Sequence, residues 1–186
     1  DLEFWVHQAG RRAVVSLRLS DIGMRQREYK DAHLPGSLRP TVARAMVLLS
    51  GVGDDDTVLD PMCGAGTLLV ERALSGRYRL LLGGDRDPAA VAAARANFGA
   101  RHKPWELSVW DAADLPLPDA SVDQVLVNPP WGRQVGTRDD NSRLYPAMLA
   151  EAARILKPGG RMAMLTSEWA LARSILAGER RLAVSR

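Results

Sequence analysis

Asn128-Pro129-Pro130-Trp131 is the stretch of this chain with the clearest chemical content. It follows Val122-Asp123-Gln124-Val125-Leu126-Val127, an apolar run that reads as a buried strand, so the four residues sit where a strand hands over to a loop. Two successive prolines remove two backbone donors and fix φ twice. The carbonyls of Asn128 and Pro129 then have no ladder to join, and together with the Asn128 amide oxygen they form a convergent set of acceptors. Trp131 adds a flat face on which a planar base can stack with its exocyclic amine against those acceptors. The chemistry this suits is group transfer to an amine, methylation above all; the plain alternative is a proline-rich turn that ends a strand.

A second motif lies upstream. Thr57-Val58-Leu59 is a short apolar run ending at Asp60, and the loop Pro61-Met62-Cys63-Gly64-Ala65-Gly66 leads into an amphipathic helix over residues 67–74, opened by Thr67. Gly64 and Gly66 let the backbone pass close to a ligand, and the helix start offers free amides to a carboxylate or phosphate. A second strand over residues 78–82 ends in Gly83-Gly84-Asp85, which places Asp85 25 residues after Asp60. That is close to the offset, about 20 residues, at which a second-strand acid meets ribose hydroxyls. Asp111-Ala112, just past a third strand over residues 105–109, is placed to meet the edge of an adenine through a carboxylate and a backbone amide. For Asp111 an ordinary polar turn is the alternative.

The elements that must hold these motifs alternate strand and helix. Pro40 suits a first helical turn, and Val42, Ala45, Met46 and Leu49 recur at helical spacing, which predicts a helix over residues 40–50. Asp87 as N-cap and Pro88 after it open an alanine-rich helix to residue 98. Residues 132–142, with Arg133, Gly136 and Arg138, read as a mobile loop beside the site. A helix over residues 144–156 is stopped by Lys157-Pro158-Gly159-Gly160; a fifth strand over 161–166, a helix over 168–176 and a sixth strand over 181–185 follow. The fold class is therefore α/β, a Rossmann-like doubly wound and mostly parallel sheet, with the motifs at the carboxyl ends of strands. Ahead of it, residues 3–6 and 13–19 pair as a β-hairpin, so that 1–36 form a hairpin and basic linker and 37–186 the catalytic domain.

Composition narrows the field. At 186 residues and 46% hydrophobic, the chain has one sizeable core rather than two. Cys63 is the single cysteine, which excludes an internal disulfide and a cysteine-based zinc site; no metal is expected. With no apolar run of membrane-spanning length and no signal pattern, the expectation is a soluble cytoplasmic protein that contacts no membrane. The formal charge is only +3, yet 22 of 25 basic residues are arginine. From Arg11 to Arg44 eight basic residues face three acidic ones around Tyr29, which suits either a nucleic-acid contact or a solvated linker with one anchoring tyrosine.

Asp60-Pro61-Met62-Cys63-Gly64-Ala65-Gly66-Thr67 and Asn128-Pro129-Pro130-Trp131-Gly132 together resemble the S-adenosylmethionine-dependent methyltransferases that modify exocyclic amines. Arg27-Glu28-Tyr29-Lys30, Leu38-Arg39-Pro40 and Leu165-Thr166-Ser167-Glu168-Trp169 narrow the resemblance to the catalytic domain of THUMP-containing RNA guanine-N2 methyltransferases, especially those acting on tRNA. It implies a class I methyltransferase fold, S-adenosyl-L-methionine as cofactor and a tRNA guanosine as substrate. Asp60, Gly64 and Gly66 would surround the methionine part, Asp85 the ribose and Asp111 the adenine amine, with Met62, Cys63, Thr67, Arg86, Ala112 and Asn128 completing the set. Asn128, Pro129, Pro130 and Trp131 would hold the substrate amine. Trp131 replaces the family's more frequent tyrosine or phenylalanine, which enlarges the wall of the pocket. The resemblance also implies an RNA-capturing THUMP domain ahead of this segment and a seventh strand after it, both outside this sequence. Adenine-N6 and glutamine-N5 methylation would use the same four residues, and a non-catalytic cofactor-binding partner subunit is the alternative from another class.

Overall fold

A computed structural model of the chain describes residues 2–19, 27–100, 102–131 and 138–184. β1 (Glu3–Ala9) and β2 (Arg12–Arg18) form a separate antiparallel hairpin. The remaining elements are α1 (Pro40–Leu49), β3 (Thr57–Asp60), α2 (Thr67–Ala73), β4 (Leu80–Asp85), α3 (Pro88–Phe98), β5 (Trp105–Val109), β6 (Val122–Val127), α4 (Arg138–Ile155), β7 (Leu156–Met164) and α5 (Trp169–Gly178). The five later strands form one sheet in the order β5-β4-β3-β6-β7, with every neighbouring pair parallel. Among the described residues no helix is long and apolar enough to cross a membrane.

Period-two alternation sorts the strand side chains onto two faces. Val58, Leu81, Leu107 and Leu126 pack with Val47 of α1, Leu69 of α2, and Val91 and Phe98 of α3. Their neighbours Leu59, Leu82 and Val125 point the other way and meet Ile155 of α4, while Val127 packs with Met148 and Leu149. Helices thus cover both faces, the arrangement a parallel sheet needs to bury its apolar strands. Strand order runs outward from β3 through β4 to β5, then returns to place β6 on the other side of β3. The carboxyl ends of β3 and β6 therefore flank the reversal point, where open α/β sheets bind ligands.

Besides shifts of a few residues at other ends, such as β1 running to Ala9 and β7 stopping at Met164, the structure differs from the sequence expectations in four larger ways. β4 begins at Leu80 and runs through Gly83 and Gly84 to Asp85, and the Trp110 ring lies where a Gly84 side chain would be. β7 begins at Leu156, with the extra residues of Lys157-Pro158-Gly159-Gly160 bulging opposite Asp123 between the Val122–Leu156 and Gln124–Arg161 pairs. α4 begins at Arg138, so the last part of the expected 132–142 loop is helical; residues 132–137 lie outside the described residues. Among the described residues of the expected sixth strand, 181–184, none joins the sheet, and 182–184 are irregular, although Leu182 still packs beside Ile155 and Leu156; Ser185 lies outside the described residues.

Candidate active site

The loop after β3 is fixed almost atom by atom. Asp60 is buried, and its Oδ1 accepts from the Met62 N–H at 3.1 Å. Cys63 N–H donates to the Gly84 carbonyl at 2.8 Å, which ties the loop to β4. Asp85, half-buried at the end of β4, accepts from Gly64 N–H at 3.0 Å through Oδ2 and from Asp87 N–H at 3.1 Å through Oδ1. Asn97 of α3 donates to the Ala65 carbonyl at 2.8 Å, and Trp110 Nε1 donates to the Pro61 carbonyl at 3.0 Å. Neither Asn97 nor Trp110 stands out in the sequence; a lone asparagine in an alanine-rich helix is the only signal for the first.

Gly64 and Gly66 both have left-handed backbone, φ +50° and +77°, but for different surroundings. A Cβ at Gly64 would project into open space, whereas one at Gly66 would come within 3.2 Å of Ala94 and Phe98. The missing side chain at Gly66 thus admits α3, whereas the open side of the loop is at Gly64. Thr67, the first residue of α2, is buried, and its Oγ1 has no hydrogen-bond partner. Cys63 is buried as well, and burial holds its thiol well above the usual range, so it offers no nucleophile.

β5 delivers Trp110, Asp111 and Ala112 to the same end of the sheet, where the Trp110 N–H donates to the Asp85 carbonyl at 3.2 Å. Ala112 is buried, while Asp111 is exposed and its Oδ1 accepts from the Ala113 N–H at 2.9 Å in a local turn that leaves its other carboxylate oxygen open to a further partner. Arg86 is exposed next to Asp85. Tyr29 and Arg27, expected as a possible RNA contact, turn inward: the Tyr29 hydroxyl donates to Glu71 Oε1 at 2.8 Å and Arg27 Nε to the same oxygen at 3.0 Å. The tyrosine is an anchor in the core.

At the end of β6, Asn128 Oδ1 is buried with no hydrogen-bond partner. Unmet acceptors of this kind are costly unless a ligand satisfies them. Trp131 is 37% exposed, and its Nε1 donates to the Leu165 carbonyl at 3.2 Å. The Pro130 carbonyl is taken by Asn141 Nδ2 at 2.9 Å and by the Tyr145 hydroxyl at 3.0 Å. Burial raises the Tyr145 phenol, which keeps its proton in place. Asn141 and Tyr145 escape sequence reading, although their spacing of four residues would place them on one face of a helix. Among the described residues no group of three or more acidic, histidine or cysteine side chains could hold a metal.

Residues 27–184 match the family UPF0020, described as RMKL-like, methyltransferase domain. The chain belongs to that family. Within it, the chain is 31% identical over 183 residues to the mouse tRNA (guanine(6)-N(2))-methyltransferase THUMP3, covering 90% of this chain and 36% of that protein. It is 34% identical over 169 residues to the tRNA (guanine(6)-N2)-methyltransferase of Thermus thermophilus, 90% of this chain and 50% of that protein. The crystal structure of TrmN from Thermus thermophilus superposes with a TM-score of 0.73 at 31% identity, over 94% of this chain and 52% of that one. The chain thus spans about half the length, or less, of the curated relatives it matches. As a member of the UPF0020 family it carries a methyltransferase domain of the Rossmann-like class, in which the β3 loop and the Asn128 segment occupy adjoining strand ends.

Proposed function

We propose that this chain is the catalytic part of an RNA methyltransferase that uses S-adenosyl-L-methionine to methylate the exocyclic N2 amine of a guanosine, most naturally in tRNA. The observation that carries the reading is the buried, unpaired Asn128 Oδ1 at the head of a Pro-Pro-Trp segment. The relatives named as guanine-N2 methyltransferases of tRNA support the choice of base and nucleic acid.

The residues present suit the cofactor. Around the β3 loop are open space at Gly64, an unpaired Thr67 hydroxyl and the Asp60 and Asp85 carboxylates. Asp60 to Thr67 would hold the methionine part, Asp85 and Arg86 the ribose side, and Asp111 with Ala112 the adenine. Both Asp85 oxygens already accept one backbone bond, but each carboxylate oxygen has a second lone pair to offer a hydroxyl. The bound cofactor supplies an electrophilic methyl group.

The protein's part is alignment. Asn128 Oδ1 would accept one N–H of the guanine amine and the Pro129 carbonyl the other, the Pro130 carbonyl being already taken by Asn141 and Tyr145. Two accepted bonds draw the nitrogen lone pair out of conjugation with the ring. Trp131 offers the stacking wall. No strong base is required, because the amine loses its proton readily once it is alkylated and cationic.

The test is incubation with unmodified tRNA and methyl-labelled cofactor, followed by digestion and mass spectrometry of the nucleosides. Label in N2-methylguanosine is expected, with Asn128→Ala lowering turnover by about 10²–10³ while cofactor affinity changes little. Label in N6-methyladenosine, or an Asn128→Ala rate equal to wild type, overturns the reading.

A further inference from the structure

A chain of hydrogen bonds behind the Asn128 segment is left unused by the chemistry above. Tyr145 is fully buried on α4, with its hydroxyl 3.0 Å from the Pro130 carbonyl oxygen and 2.8 Å from Thr166 Oγ1. Thr166 Oγ1 in turn accepts from the Glu168 N–H at 2.9 Å, just ahead of α5. The direction of the chain follows from the donors available. A carbonyl only accepts, so the single Tyr145 proton goes to Pro130; Thr166 must then donate to Tyr145, and Glu168 N–H to Thr166. One orientation satisfies every link.

Asn141 closes the arrangement from one turn earlier on α4. It is 1% exposed, and its Nδ2 donates to the same Pro130 oxygen at 2.9 Å, which leaves its own Oδ1 buried and unpaired. Two buried donors on one carbonyl do what the proline rings cannot. The rings fix φ of Pro129 and Pro130 but leave ψ of Pro130 free to turn, and neither residue has an N–H to hold it in a ladder, so the bonds to its carbonyl restrain that rotation. Rotation about that bond would swing Trp131 away from the Leu165 carbonyl that its indole reaches at 3.2 Å.

We infer that Asn141, Tyr145 and Thr166 are positioning residues for methyl transfer: by holding the Pro130 carbonyl they lock the Pro130–Trp131 peptide and keep Trp131 and Asn128 in one fixed relation. The catalytic consequence rests on the function proposed above, whereas the positioning itself does not.

The experiment compares Tyr145→Phe, Thr166→Val, their double variant and Thr166→Ser. The first readout is the Trp131 indole N–H in a nitrogen–proton spectrum, assigned with Trp131→Phe. Its hydrogen exchange is expected to quicken about ten-fold in Tyr145→Phe and Thr166→Val, and to return to the wild-type rate in Thr166→Ser. The second is single-turnover formation of N2-methylguanosine on tRNA at saturating cofactor, expected to fall roughly 10–100-fold with S-adenosylhomocysteine affinity unchanged. Because the links act as one unit, the double variant should be no slower than Tyr145→Phe. Unchanged indole exchange in a folded Tyr145→Phe protein overturns the inference, as does a Thr166→Ser protein as impaired as Thr166→Val, which would make the role one of packing. If the wild-type protein labels no guanine N2, the functional reading fails, and the exchange data still decide the positioning.

Discussion

Asp60 shows how one residue can combine a proposed binding role with a stability cost. Burial pushes its carboxyl up from 3.8 to about 8, against the pull of the Met62 N–H and with added help from the Asp85 charge. Between those values the folded protein holds a proton that the unfolded chain has released. The contribution of Asp60 to stability is therefore complete below the lower value and is lost as pH rises towards the upper one, by at most about 1.4 kcal/mol per pH unit. Asn at this position keeps the acceptor for Met62 but cannot titrate. Urea unfolding of Asp60→Asn should gain on wild type steadily from about pH 5 to pH 8, while cofactor affinity falls; parallel pH profiles for the two proteins would contradict this. The two loop glycines separate in the opposite way. Alanine at either must adopt a left-handed conformation, costing about 1–2 kcal/mol. At Gly66 it must also displace Ala94 and Phe98, for about 1–3 kcal/mol more. Thermal unfolding should thus show Gly66→Ala as the less stable variant, and titration with S-adenosylhomocysteine should show Gly64→Ala as the weaker binder relative to its stability.

Between elements, the long connection from Asp111 to β6 depends on one side chain of α4. Arg154 donates to the Leu115 and Leu117 carbonyls at 3.0 and 2.7 Å and to Asp119 and Glu151 at 2.8 and 2.7 Å, while Glu151 accepts from the Leu115 N–H at 2.8 Å. A stretch with no periodicity of its own is held by a planar fork of donors. Arg154→Ala is expected to cost about 1–3 kcal/mol in urea unfolding, and Arg154→Lys to recover little, since an ammonium cannot span these acceptors. That dependence also explains what the sequence could and could not disclose. β3, β5 and β6, and the starts of α2 and α3, follow from local runs and caps: Asp87 does accept from the Ala89 N–H at 2.9 Å, as its place before Pro88 predicts. The start of α4 does not, because Arg138-Asp139-Asp140-Asn141 looks like loop, and the buried Asn141 finds the partner for its amide in Pro130, eleven residues away. The inward turn of Tyr29 has the same kind of cause: its partner, Glu71, lies 42 residues away. In the candidate site Asn128, whose Oδ1 is buried and unpaired, draws notice from residue type and order, while Asn97, Trp110 and Tyr145 do not, since each acts on a backbone carbonyl distant in sequence.

At the scale of the whole molecule, the parallel sheet brings the carboxyl ends of its five strands to one side, where the proposed site lies, and the N-terminal hairpin takes no part in that sheet. Its register places Phe4, Val6, Val15 and Leu17 on one face and Glu3, Trp5, His7 and Arg18 on the other, and both faces are largely exposed. A two-stranded ribbon of this kind gains little from burial and is marginal by itself. The core that holds the site instead begins at Tyr29, which packs with Val47 and Leu69 and bonds to Glu71. Removing residues 1–19 should accordingly leave the unfolding free energy within about 0.5 kcal/mol of the full chain and leave S-adenosylhomocysteine affinity unchanged. Substituting Tyr29 by Phe leaves the Glu71 carboxylate with Arg27 as its one hydrogen-bond partner among the described residues, and should cost about 1–3 kcal/mol although it alters a single atom. Measured side by side by urea unfolding, the large deletion should be nearly silent and the small substitution should not. The reverse order would mean that the hairpin, not the Tyr29–Glu71 contact, closes this end of the core.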